Sequence, residues 1–152
     1  MLLAAFLIGI VAGLRAMLAP AIVSWAATQG WIGPIHGWPA FMGYRWTPWI
    51  FTVAALGELV TDQLPSTPSR KVLPQFSARI VMGGLSGATL GATQDSWLAG
   101  LVVGVIGSVI GTLAGAAGRA KLAAGLGNDH PAAAIEDVIA IAVGALAIIA
   151  VP

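Results

Sequence analysis

Arg15 stands near the middle of the apolar run MLLAAFLIGIVAGLRAMLAPAIVSWAA. A guanidinium inside a stretch long enough to cross a bilayer is costly unless it is paired or wetted, so an ionisable residue there is a functional-site hypothesis by default. Five further charged residues lie in or beside apolar segments: Glu58 and Asp62, one helical turn apart; Arg79; and the adjacent Glu136 and Asp137. Four carboxylates then face two guanidiniums, and an acid excess lining a wet cavity favours a cation or a proton relay. With a ~1.5 Å rise per residue, Arg15 lies about 18–20 Å from the inner end of its helix and Glu58 about 14 Å from the inner face of a ~30 Å core. The two reach similar depth, so Arg15 with Glu58 is the expected buried pair. Either charge buried alone costs several kcal/mol, whereas opposed and hydrogen-bonded they largely offset each other. Such a pair serves either as a structural clasp or as part of a binding site.

Other candidate chemistry is thinner. The stretch NDHPAAAIED holds Asp129, His130 and Glu136 without a zinc-ligand spacing, and Asn128 or Asp129 is more simply a helix cap. No metal and no cofactor is expected. There is no cysteine, which excludes disulfides, thiolate sites and cysteine nucleophiles. GxSxG, HExxH and Walker-type motifs are missing, and Ser24, Ser77, Ser86 and Ser108 have no base nearby in sequence, so no catalytic residue is assigned. His36 reads as interfacial.

The elements that would position these residues follow from composition. The chain of 152 residues is 58% hydrophobic and only 9% charged, against roughly 25% charged in a soluble domain. So few charges cannot cover a water-facing surface, and the expected partner over most of the surface is the lipid bilayer. A net charge of +1 argues against nucleic acid. The expected fold is all-α: one integral membrane domain over 1–152, a polytopic bundle of about five transmembrane helices at about 2–28, 47–64, 76–93, 96–118 and 131–151. The second is opened by Thr47 as N-cap with Pro48 at the first helical position and closed by Pro65. Gln94 and Asp95 make a tight connection. The third segment is short and glycine-rich, and either spans or is re-entrant. The first run lacks the basic start and cleavage site of a signal peptide and reads as a retained helix.

Arg70, Lys71, Arg79, Arg119 and Lys121 fall in or beside two connections on one side, with only Arg45 on the other. The positive side is cytoplasmic, which places the N-terminus inside and the loop 29–46 outside. Trp25, Trp31, Trp38, Trp46, Trp49 and Trp97 fall near that outer interface, where indoles prefer to sit. The loop reads as a flat aromatic cap.

Glycines recur at four-residue spacing: Gly9 and Gly13; Gly83, Gly87 and Gly91; Gly100 and Gly104 continuing to Ser108; and Gly107, Gly111 and Gly115 on another face of the same helix. Small residues at this spacing let helix backbones approach closely, and two such faces make 96–118 the expected central helix. LIGIVAGLRAMLAPAIVSWA also echoes VVGVIGSVIGTLAGAAGRAK weakly, the pattern of a possible inverted repeat in which the two helices run in opposite directions.

The strings GLRAMLAP, ALGELVTDQLPSTPSR, SARIVMGGLSGATLGA and AAAIEDVIAIAVG together resemble the bacterial family called domain of unknown function 4126. The resemblance covers most of the chain. It implies a small integral membrane protein with a Gly-Leu-Arg element, an acidic-x-x-x-Asp-x-x-Pro element at Glu58, Asp62 and Pro65, and a late Glu-Asp pair at Glu136 and Asp137. Where such members read Asp-Lys-x-Pro, this chain has Asp-Gln-Leu-Pro. The family name carries no activity.

Two functions are then expected. The first is a bacterial inner-membrane protein that binds or transports a small solute or ion through an acid-rich, cytoplasm-facing cavity lined by Arg15, Glu58, Asp62, Arg79, Glu136 and Asp137. The alternative is a non-catalytic accessory or assembly subunit whose glycine faces pack against a larger membrane complex. A homo-oligomer suits the first, because 152 residues make a thin transporter. A lipid-modifying membrane enzyme ranks third.

Overall fold

The computed structural model describes residues 1–61, 72–127 and 129–151, apart from the side chains of Leu126, Asp129 and His130. Asp62, Pro65, Arg70 and Lys71 lie outside the described residues, as do the side chains of the NDH cluster. Six α-helices and one short 3-10 helix, Trp38–Gly43, account for the described secondary structure, with no strand among them. The helices are α1 (Leu2–Leu14), α2 (Leu18–Thr28), α3 (Thr47–Thr61), α4 (Leu73–Ala92), α5 (Trp97–Leu126) and α6 (Asp129–Ile149). Two are long and apolar enough to cross a membrane, over Trp97–Gly125 and Pro131–Ile149.

The first correction concerns the run 2–28, which is two helices rather than one. The break has a local cause at Pro20. Proline offers no N–H to Ala16 and its ring clashes with that carbonyl, so a helix arriving from α1 cannot continue through it. Arg15 is extended, with φ −140° and ψ 108°, and Pro20 sits in the first turn of α2, where a missing N–H costs little.

Contacts at three levels show where the two short helices go. A Cβ added to Gly87 would strike Gly100 and Gly104, and one added to Gly83 would strike Ser108, so α4 and α5 are antiparallel. A Cβ on Gly9 would strike Gly104, and one on Gly13 would strike Ser108 and Thr112, so α1 runs parallel to α5. A Cβ on Gly144 of α6 would meet both Val11 of α1 and Ile22 of α2, while Asp137, two turns earlier, meets Arg15. Helices α1 and α2 therefore form a hairpin folded at Arg15–Met17, and both of its open ends lie at the end of the bundle where Trp38 of the 29–46 loop meets Trp97. Residues 2–28 do not pass from one end of the molecule to the other. Met1 shares an end with the aromatic loop instead of lying opposite it. The inverted-repeat reading fails for the same reason, since α1 and α5 run in one direction.

The centre of the molecule is the glycine seam between α1, α4 and α5. Gly83, Gly87 and Gly91 of α4 face Gly100, Gly104 and Ser108 of α5. Gly107 and Gly111 present the second small face to Phe6, Gly9 and Ile10 of α1. Added Cβ atoms along either face would hit backbone, which cannot move aside as a flexible side chain can. Gly115, a turn further on, is half-buried. Asp95 makes the sharp turn from α4 to α5 with φ 54°, a conformation that aspartate tolerates better than most residues. Helix α5 continues beyond the expected 118 and ends at Gly127, whose φ of 66° is a left-handed stop.

One end of the bundle is aromatic. Trp25 and Trp49 meet edge to face at 5.1 Å, and Trp38 and Trp97 at 6.0 Å. The His36 N–H donates to Ala92 O at 3.2 Å, tying the loop to the α4–α5 turn. Thr47 does not cap α3 with its side chain; its Oγ1 donates to Phe41 O at 2.7 Å and closes the loop instead. Arg119 and Lys121, near the far end of α5, mark the basic end.

Candidate functional site

The break between α1 and α2 leaves backbone groups without helical partners at the hairpin tip. The end of α1 presents carbonyls and the start of α2 presents N–H groups, with partial negative and positive charge respectively. Each is met by a side chain of opposite charge. Arg79 of α4 donates from Nη1 to Gly13 O at 2.6 Å and to Leu14 O at 2.8 Å. Glu58 of α3 accepts the Ala16 N–H on Oε1 and the Met17 N–H on Oε2, both at 2.8 Å. Arg79 Nη2 and Glu58 Oε1 are 3.8 Å apart. The Thr112 hydroxyl of α5 also donates to Gly13 O at 3.2 Å. Arg79 and Arg15 are both only 2% exposed.

Arg15 and Glu58 are at the same level but are not each other's partner. Arg15 donates from Nε to Asp137 Oδ1 at 2.6 Å. Glu58 is held instead by the two residues that follow Arg15. The difference comes from the hairpin: a continuous helix has no spare N–H groups, whereas a broken one offers two, side by side, to a bidentate carboxylate. Asp137 also lies deeper than its sequence position suggests, at the level of the tip. Glu136, next to it, points elsewhere and pairs with Arg119 at 3.7 Å.

The six residues singled out from sequence thus divide. Arg15, Glu58, Arg79 and Asp137 converge on the tip; Glu136 lies beside it, and Asp62 is outside the described residues. Thr112 and Arg119 were missed as members of the site. Among the described residues the cluster holds three guanidiniums and three carboxylates; Asp62, the fourth expected carboxylate, lies outside them.

Two cavities meet at Glu58. One, of about 270 Å³, is lined by Ala16, Met17, Glu58 and Arg79 and reaches Thr61 and Gln75 toward the basic end. The other, of about 90 Å³, holds Arg15, Glu58 and Asp137 between α2, α3 and α6. Arg15, Glu58, Arg79 and Asp137, which line these cavities, are each bonded to another part of the protein.

The chain matches no family model, no curated protein and no solved structure.

Proposed function

We propose that this is a polytopic membrane protein of the bacterial inner membrane that binds, and passes, a small solute or ion at the tip of a re-entrant hairpin. Helices α1 and α2, at ~1.5 Å per residue, are about 20 and 16 Å long, too short for either to cross a ~30 Å core. Helices α4, α5 and α6 cross in this reading, and α3, about 22 Å long over its described residues and itself shorter than the core, carries the chain from the aromatic end past the hairpin tip, so that a hairpin replaces the first of the five expected crossings. The positive-inside rule then puts Arg119 and Lys121 in the cytoplasm and the aromatic end, with both termini, outside. The resemblance to domain of unknown function 4126 agrees with a small membrane protein and adds no activity.

The observation that carries the proposal is the double capping of the break by Glu58 and Arg79. Irregular backbone at membrane depth is tolerated where it is buried in protein or lines a cavity, and interrupted helices in transporters form their solute and ion sites. The cavity of about 270 Å³ beside the break, open toward the basic end, is the approach from the cytoplasm.

Flux of protons and small cations into proteoliposomes tests it. Glu58→Gln keeps the shape of the side chain and one acceptor oxygen, so the protein should still fold, with a loss of about 1–3 kcal/mol for the poorer pairing, and its flux should fall to background. Undiminished flux in folded Glu58→Gln protein contradicts the proposal. No flux from the wild-type protein, together with stoichiometric co-purification of a larger complex, would favour the accessory role.

A further inference from the structure

Helix α3 is the least supported of the helices. Among the described residues it lies against α2 and the 3-10 helix and against no other helix, and it buries only Pro48 and Ala55. Its inner end nevertheless has a fixed duty, since Glu58 caps the hairpin break. On the side toward α6 an apolar groove of about 590 Å³ separates the two helices, walled by α3 and α6 and floored by α2. No described helix fills it.

The lining decides what can. Its side-chain polar atoms are the Thr52 hydroxyl and the indole N–H groups of Trp25 and Trp31. Trp25 Nε1 donates to Thr52 Oγ1 at 3.0 Å, and Thr52 Oγ1 donates to Pro48 O at 2.6 Å. Trp31 is 68% exposed at the aromatic end. Water needs about 2–4 polar partners to stay in a cavity, and the interior here has no unused donor, so the groove suits hydrocarbon. Leu56 on one wall and Ile141 and Ile149 on the other are exposed, so the apolar lining continues onto the outer surface of the bundle.

Dimensions narrow the choice further. From Trp25 to Leu18 the groove runs about 10 Å by the helical rise, some two thirds of the ~15 Å that one leaflet contributes to a ~30 Å core. Trp25 and Trp31 stand at its aromatic end, where indoles meet lipid headgroups. A helix ~10 Å across fills roughly 800 Å³ over that length, more than the groove holds. A single alkyl chain is thinner and fits along it.

We propose that the groove between α3 and α6 is a binding site for one hydrocarbon chain of a bilayer lipid. The lipid enters from the leaflet on the aromatic side, its alkyl chain lies along α2, and its headgroup stays outside beside Trp25 and Trp31. The alkyl chain supplies the packing between α3 and α6 that the protein does not, and so steadies the helix that carries Glu58. This rests on the protein being a membrane protein and not on the tip being a solute site.

Native mass spectrometry of the protein tests the inference, after delipidation in the sterol-based detergent CHAPS, which has no alkyl chain of its own, and titration with dipalmitoyl phosphatidylcholine. One tightly bound lipid per protein is expected before weaker adducts appear. Methyl palmitate, the chain without the head, should displace it; glycerophosphocholine, the head without chains, should not. Ala145→Trp fills the groove from an exposed position on α6 and should weaken the first binding by about tenfold. Val102→Trp, on the exposed face of α5 and outside the groove, should leave it unchanged. Adducts that accumulate without a first saturable one, displacement by glycerophosphocholine, or binding indifferent to Ala145→Trp overturns the inference. So does a dimer that Ala145→Trp dissociates, which would make a second copy the occupant. If Ala145→Trp does not fold, the two competitors decide. Release of the protein from membranes by alkaline carbonate would contradict the membrane reading itself, whereas a protein that resists carbonate and binds no first lipid loses only the groove site.

Discussion

The two sides of α1 are built on opposite principles. Toward α4 and α5 it packs backbone against backbone through Gly9, Gly13, Gly104, Gly107 and Gly111, with no room for a methyl group. Toward α2, α3 and α6 the chain keeps charges, cavities and a broken helix, and α3 buries only Pro48 and Ala55. The glycine seam supplies close van der Waals contact between helix backbones. That rigidity allows Arg79, carried by α4, to hold the carbonyls of α1 in register.

The comparison breaks most readily at Gly104, where α1, α4 and α5 come together. Gly104→Leu should cost more than about 3 kcal/mol, beyond the usual overpacking range, because the obstructing atoms are backbone, and folded protein should be largely lost in a thermal-stability assay. Gly57→Leu is the control on the open side, since nothing lies within 4 Å of an added Cβ there. It should be neutral or gain up to about 1 kcal/mol from helix propensity.

A smaller effect is expected on the charged side. Asp137→Asn keeps one acceptor oxygen for Arg15 but removes the charge that faces its Nε at 2.6 Å, and should cost about 1–3 kcal/mol. Combined with Arg15→Met, the cost should be less than the sum of the singles, because both charges leave together. Full additivity in the double-mutant cycle would mean that the two groups are stabilised separately. The smallest effect belongs to the aromatic end. Trp25→Phe removes the Nε1 donation to Thr52 Oγ1 at 3.0 Å and should cost about 1 kcal/mol by thermal unfolding.

The two sides were also unequally legible in the sequence. Glycines four apart report a helix face directly, and the faces containing Gly83, Gly87, Gly100 and Gly104 are those that meet in the structure. The hairpin was hidden because hydropathy does not change across residues 2–28. Its one local sign, Pro20 inside an otherwise helical run, was outweighed by the length of that run. A straight helix over that run places Arg15 opposite Glu58 by depth. The level was right and the partner was not, because the N–H groups of Ala16 and Met17 become available only when the helix ends. Nothing in the sequence fixes the depth of Asp137, because helix α6 carries no depth marker besides its own start. Arg119 was read as a topological charge, and nothing in its spacing tied it to Glu136.

Helices α1 and α2 enter and leave at the same end of the bundle, and the absence of native cysteine lets labelling test this. Single-cysteine variants Leu2→Cys, Ala40→Cys and Lys121→Cys can be treated in intact cells with a membrane-impermeant maleimide. The hairpin predicts that Leu2→Cys and Ala40→Cys both react from outside, while Lys121→Cys reacts only after the membrane is opened. Protection of Leu2→Cys together with Lys121→Cys, while Ala40→Cys reacts, would mean that residues 2–28 cross in one piece and would contradict the account.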